Sequence, residues 1–253
     1  MKRFYIFLCL SVLLSCAQTP NTHIPSNQKE NPQYSKITVP ENLAQYYKTI
    51  DFDKTGKTLY DDLAVLTISK HTKFLTYYDR HKYLYKADAS LQNPNNVVLM
   101  YTGEERYWEE YEGNKNYSPT TFNTEHIYPQ SKYQNNAKGD LHHLRACDKS
   151  VNSRHGNLPF TQGKGNCKII GKGWYPGDEW KGDIARMIFY LNLRYNEKLD
   201  TSISTGGIAL LLKWNDEDPV SPLEHQRNNV IEGAQGNRNP FIDFPQLARR
   251  IYE

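Results

Sequence analysis

Residues 123–131 read NTEHIYPQS, which sets a carboxylate and an imidazole side by side at Glu125 and His126. Core packing gives no reason for two adjacent ionisable side chains. A second stretch, DLHHLRACDKSVNSRHGNLPF at residues 140–160, supplies an amide at Asn152. Asn152 falls early in a segment of helical character, where asparagine is a mediocre choice because its amide competes for local backbone hydrogen bonds. Carboxylate and amide oxygens are hard ligands that suit Mg2+, Mn2+ or Ca2+ better than zinc. Mg2+ takes only one or two protein oxygens and keeps several waters, so Glu125 and Asn152 are a sufficient protein contribution to one divalent site. His126 is then left as a base, neutral at pH 7 from an ordinary pKa of about 6.5. Together they are the parts needed to hydrolyse a phosphodiester: the base activates water and the cation stabilises charge on the phosphate.

The elements that must position these groups can be read around them. A strand is expected to end near Glu125 and His126, a second strand to span residues 140–145, and a short helix to run over residues 149–155. Asp148 suits its N-cap and Gly156 the left-handed position after it. Successive residues on a strand face opposite ways, so Glu125 and His126 serve one site only where the strand ends or bends. Pro129 and the polar run after it make such an ending.

These two stretches resemble bacterial endonuclease I, within the His-Me finger (ββα-metal) nuclease superfamily. The resemblance rests on Glu125 and His126 with Pro129 and Ser131, on DLHHL at 140–144, and on Asp148, Val151, Asn152, Ser153 and Arg154. It continues through Gly156, Asn157, Pro159 and Phe160, then GDIAR at 182–186, Trp214, DPVS at 218–221 and GNRNPFID at 236–243. It covers roughly residues 45–250. It implies an α+β fold, mainly helical, with an embedded ββα-metal motif. It also implies His126 as general base, Glu125 and Asn152 as metal ligands, and largely sequence-nonspecific cutting of DNA that leaves 5′-phosphate ends. Whether RNA is also cut stays open. Two positions depart from the family pattern, Ala146 where proline is usual and Cys147 where threonine is common.

Other residues around the two stretches carry weaker expectations. Arg154 and, less strongly, Arg145 are candidates to bind phosphates beside the cut, since arginine forks suit phosphate. Of the adjacent His142 and His143, one should face inward and the other toward substrate. Asn157 is expected to hold the local turn, and His155 and His225 to be solvated. The segment between residues 73 and 100, with Tyr77, Tyr78, Tyr83 and Tyr85, has strand character and receives no site. Residues 180–195 carry apolar side chains at helical spacing. Ser221, Pro222 and Glu224 form a capping box that opens a helix of about ten residues. Arg227, Asn228 and Asn229 are read as its polar outer face. A last short helix is expected over residues 241–252.

Net charge is only +3, with 19 tyrosines in 253 residues, so the chain as a whole is not a strongly basic nucleic-acid binder. Charge is unevenly spread, however. Residues 127–173 hold eight Lys and Arg against two Asp, while residues 104–112 hold five Glu against Arg106. A local basic segment fits an anionic partner, and a solvated loop fits it too. Cys147 and Cys167 can pair across a loop of about 20 residues, worth about 3 kcal/mol in the chain-entropy model, or stay as two reduced thiols.

Lys2 and Arg3 precede a short apolar run over residues 4–14, too short to span a membrane, which needs about 20 apolar residues. This is a signal-peptide pattern. LLSC at 13–16 resembles a bacterial lipobox, which implies cleavage before Cys16 and lipid on its thiol. Plain secretion is the other reading. The expected organisation is a lipoprotein signal peptide at 1–15, a flexible polar tether at 16–40 and one nuclease domain at 41–253, monomeric and exported to a periplasmic or cell-surface membrane. Against the nuclease stands a second class, a surface lipoprotein that binds nucleic acid or another polyanion without cutting it. Retention of Glu125, His126 and Asn152 together favours the enzyme.

Overall fold

The computed structural model describes residues 36–132 and 137–253. The signal peptide, Cys16 and the tether as far as residue 35 lie outside the described residues. Packing begins slightly earlier than the expected boundary at 41, because Ile37 is buried in the main core and Val39 packs against it.

Chain order is α1 (Glu41–Ala44), α2 (Gly56–Lys70), a 3-10 turn (Tyr77–Arg80), α3 (His81–Ala87), β1 (Asn96–Val98), β2 (Glu105–Tyr107), β3 (Phe122–His126), β4 (Leu144–Asp148) and α4 (Lys149–His155). There follow β5 (Lys168–Ile170), β6 (Gly173–Tyr175), α5 (Lys181–Tyr195), α6 (Gly207–Glu217), α7 (Pro222–Gln235), α8 (Pro240–Asp243) and α9 (Leu247–Tyr252). Among the described residues helices dominate and the strands form three separate antiparallel pairs, β1–β2, β3–β4 and β5–β6. The expected α+β class holds.

Helix α5 runs through the core. Ile184, Met187, Ile188 and Leu191 of its expected apolar stripe are buried and Tyr195 is half-buried, and α6, α2 and α8 pack against it. Each such buried aliphatic side chain contributes about 1.5–3 kcal/mol. The capping box that opens α7 is formed: Ser221 Oγ accepts from Glu224 N at 3.2 Å and Glu224 Oε2 accepts from Ser221 N at 2.9 Å. Helix α7 runs fourteen residues, longer than expected. Its Arg227 and Asn228 are buried rather than on an outer face, because they satisfy backbone carbonyls: Arg227 donates to Leu144 O at 2.9 Å and Asn228 to Asn239 O at 3.1 Å. The C-terminal helix expected over 241–252 is two short ones.

Two further expectations fail for local reasons. Within residues 73–100 the run 77–87 is helical, since the Thr76–Asp79 capping box nucleates a turn that runs on into α3; only residues 96–98 are a strand. The second strand starts at 144, not 140. Asp140 caps a 3-10 turn at Leu141–His143, accepting from His142 N at 2.9 Å. Its other oxygen accepts from Tyr190 at 2.6 Å and Tyr195 at 2.9 Å. A capping carboxylate anchored in this way holds the chain in a turn until Leu144.

Candidate active site

Strands β3 and β4 pair in antiparallel register, Glu125 opposite Arg145 and His126 opposite Leu144. Helix α4 follows β4 without a loop. Asp148 Oδ1 accepts from Ser150 N at 2.8 Å and Val151 N at 3.0 Å, a cap worth about 1 kcal/mol. Gly156, at φ +57°, ends the helix where an L side chain would be strained. Hairpin and helix together form a compact ββα unit.

The facing problem is solved by position, because His126 is the last residue of β3. Glu125 turns toward α4 and His126 toward Tyr77, yet both line one open pocket of about 310 Å³, together with Asn152, Asn157 and Thr124.

Glu125 is 2 % exposed. Its Oε1 accepts from Tyr101 Oη at 2.8 Å and lies 2.5 Å from His155 Nδ1. Tyr101 holds a left-handed backbone, φ +74°, uncommon for a bulky residue. With Oε1 so engaged, Oε2 is the oxygen that accepts nothing else among the described residues. Asn152 repeats the pattern. Its Nδ2 donates to Asn123 Oδ1 at 2.8 Å and Thr124 O at 3.2 Å, which leaves Oδ1 as its unengaged atom. Two hard oxygens at one pocket are a donor set for a cation that keeps most of its waters. Among the described residues, no group of three His, Cys, Asp or Glu side chains could hold a metal, so a zinc-type cage is not what these residues offer.

His126 stacks on Tyr77, ring centroids 5.2 Å apart, with Gln130 Nε2 3.1 Å from each ring nitrogen. Burial pushes its imidazole down to about 2, and nearby His143, Arg80 and Lys138 add to the shift. The ring is therefore neutral near pH 7. A phosphate arriving beside these groups would offset their charge and raise its proton affinity.

Several expected site residues are outside the pocket lining. Arg145 is fully buried and pairs with Asp88 and Asp183, each at 2.9 Å, which engages its guanidinium inside the protein. His142 and His143 are also buried, their Nε2 atoms 3.1 Å from Asn237 O and 2.9 Å from Ala137 O, with the His143 ring 5.6 Å from that of His126. Arg154 is exposed on the last turn of α4, outside the pocket lining. Asn157 lines the pocket, and its backbone carbonyl accepts from Lys132 Nζ at 3.0 Å. Cys147 and Cys167 are free thiols rather than a disulfide. Cys147 is buried in β4 with its thiol 3.7 Å from Met100 O, and burial pushes its pKa well up, which makes it inert.

Four site residues had no place in the expectation. His155 is fully buried against Glu125 rather than solvated; its spacing of three from Asn152 in a helical segment was the available signal. Tyr77, Arg80 and Tyr101 come from distant segments with no such signal. Arg80 bridges the region, its Nε donating to Thr124 Oγ1 at 2.9 Å and its Nη2 to Tyr111 Oη at 2.8 Å, while its guanidinium covers the Tyr77 ring.

A buried carboxylate, an amide oxygen and a neutral imidazole thus meet at one pocket. Residues 55–246 match the Endonuclease I family. The chain is 39 % identical to an extracellular ribonuclease of Bacillus amyloliquefaciens, across 87 % of this chain and 83 % of that one. It is 37 % identical to an extracellular ribonuclease of Bacillus subtilis (strain 168), across 82 % and 78 %. An extracellular deoxyribonuclease of Aeromonas hydrophila is 28 % identical across 43 % of this chain and 50 % of its own. The chain belongs to the Endonuclease I family and is a nuclease.

Proposed function

We propose that the protein is an exported, divalent-metal-dependent endonuclease of the His-Me finger type, cutting RNA and DNA with little sequence preference to leave 5′-phosphate ends. The observation that carries this is the meeting of Glu125, His126 and Asn152 at one pocket on a ββα unit. Glu125 Oε2 and Asn152 Oδ1 would hold one cation, expected to be Mg2+ with Mn2+ or Ca2+ as alternatives. When bound, it supplies positive charge to the scissile phosphate and the leaving oxygen.

The protein's own part follows from the geometry. Tyr101 and His155 hold the carboxylate in place, and Asn123 holds the amide. Neutral His126 takes a proton from a water, whose oxygen forms a bond to phosphorus. The bond from phosphorus to the 3′ oxygen breaks, and that oxygen leaves with a proton from solvent. The new oxygen stays on the 5′-phosphate. Nothing here distinguishes ribose from deoxyribose, which fits relatives named for either substrate.

Export is supported by relatives named extracellular and by the signal-peptide pattern. Attachment of lipid at Cys16 is proposed on the LLSC tetrad.

The test incubates residues 17–253 with supercoiled plasmid and with single-stranded RNA, in Mg2+ and in EDTA, beside His126→Ala. Metal-dependent cutting of both substrates, lost in the variant, is the expected result. Plasmid retardation without cutting under any divalent metal would instead establish the polyanion-binding lipoprotein.

A further inference from the structure

A second cavity, about 330 Å³, lies on β3 beside the first. Five rings line it: Tyr85, Trp108, Tyr111, Phe122 and His81. Trp108 and Tyr85 stack with ring centroids 5.1 Å apart, and His81 lies against Tyr111. The cavity is at the small end of the roughly 300–1,000 Å³ of small-molecule sites, with room for one planar heterocycle. Its walls also carry polar groups. The amides of Asn114 and Asn116 and the carboxylate of Glu109 line it. His81 Nε2, on the same wall, is buried without a hydrogen-bond partner among the described residues. Flat apolar faces with hydrogen-bonding groups at the edge are complementary to a nucleobase.

Its position relates it to the cut. Thr124 and Asn123 line this cavity, Thr124 also lines the pocket of Glu125 and His126, and Asn123 holds Asn152. Thr124 and His126 are two residues apart and share one face of β3, a separation of about 6.6 Å along the strand. Arg80, buried and lining neither cavity, braces the wall by donating to Thr124 and Tyr111. A phosphate at His126 therefore has an aromatic-lined slot one short step away along β3. A base stacked within a duplex cannot enter such a slot; a base splayed from a single strand can.

We propose that this cavity takes one unstacked nucleobase of a single strand, next to the phosphate being cut. The proposal rests on the nuclease reading above and goes further, assigning the enzyme a preference for single-stranded nucleic acid and a discrete base subsite. It predicts sequence tolerance, because every base has a stackable face.

The experiment uses a labelled single-stranded DNA oligonucleotide only just long enough to fill the site, so that it binds in one register, with one abasic position moved stepwise along it. Binding is read by fluorescence anisotropy in EDTA, and cutting is read in Mg2+. Wild type is compared with Trp108→Leu and with Tyr85→Leu, both at half-buried positions, with circular dichroism to establish that each variant folds. Loss of one base at a single position, adjacent to the cut, should weaken binding about 5- to 100-fold in the wild type. The same abasic strand should show no further loss in either variant, the signature of a shared contact. Duplex affinity should not change in either variant. A flat abasic profile, or a full abasic penalty kept in both variants, would overturn the proposal. A single-position binding penalty without any cutting would retain the base subsite and defeat the nuclease reading alone.

Discussion

His155 Nδ1 lies 2.5 Å from Glu125 Oε1, and one helical turn earlier on α4 Asn152 Nδ2 lies 2.8 Å from Asn123 Oδ1. Residues three apart share a helix face, and residues two apart share a strand face. The two contacts are thus parallel rungs joining α4 to β3. Each rung ends on a group that the site needs.

The upper rung can be tested directly. His155→Ala should leave Glu125 without one of its two donors and raise the Mg2+ concentration for half-maximal cutting by about 10- to 100-fold, the usual range for a group that orients a ligand. His155→Gln, which keeps a donor, should recover part of this. If neither variant moves the metal titration while both lower the unfolding midpoint, His155 is only a core residue.

The lower rung separates ligand from support. Asn152→Ala removes the free amide oxygen and should weaken metal activation more than Asn123→Ala, which only loosens it. Nucleic-acid affinity in EDTA should hold in both. Equal metal titrations for Asn152→Ala and wild type would remove Asn152 from the ligand set.

For His126→Ala, kcat should fall by about 10²- to 10⁴-fold with the Mg2+ titration unchanged. Single-turnover cleavage is the measurement; a normal rate means another group is the base.

Much of this was legible in the sequence. Glu125, His126 and Asn152 stand out because their types contradict their local structure, and Asp148 and Gly156 mark the ends of α4 by cap chemistry alone. Arg145, His142 and His143 misled for a shared reason. A charge near a catalytic motif looks functional, yet Arg145 and His142 are held inside by partners far along the chain, Asp183 and Asn237, and His143 by the carbonyl of Ala137. Spacing holds no trace of such pairings. Tyr77 reaches the pocket, and Tyr101 reaches Glu125, by the same long-range packing.

Arg145 gives the stability counterpart. Arg145→Ala should leave Asp88 and Asp183 buried with a lost partner and destabilise by about 3–5 kcal/mol. A phosphate-binding arginine would instead leave the urea midpoint alone and raise KM, and that result would restore its surface role.

Acid should unfold the protein through its buried histidines. Burial pushes His142 and His143 down to about 4, against about 6.5 in the unfolded chain. Between those pH values the unfolded state binds more protons. Stability is therefore full above about pH 6.5 and is lost as pH falls toward 4, by up to about 1.4 kcal/mol per pH unit for each histidine. Urea midpoints at pH 7 and pH 5 measure this, and equal midpoints would contradict neutral burial.

The turn that leads into β4 has a consequence in time. Leu141 N donates to Gln235 Oε1 at 2.6 Å, Gln235 Nε2 donates to Asp140 at 3.0 Å, and Arg227 donates to the carbonyls of Leu141 and Leu144. Those partners leave the ribosome some 83–95 residues after the strand they secure. A nascent chain therefore carries every catalytic side chain long before it can seat the hairpin that aligns them. The turn before β4, and with it the register that sets Glu125 beside α4, is therefore completed only once α7 has been made.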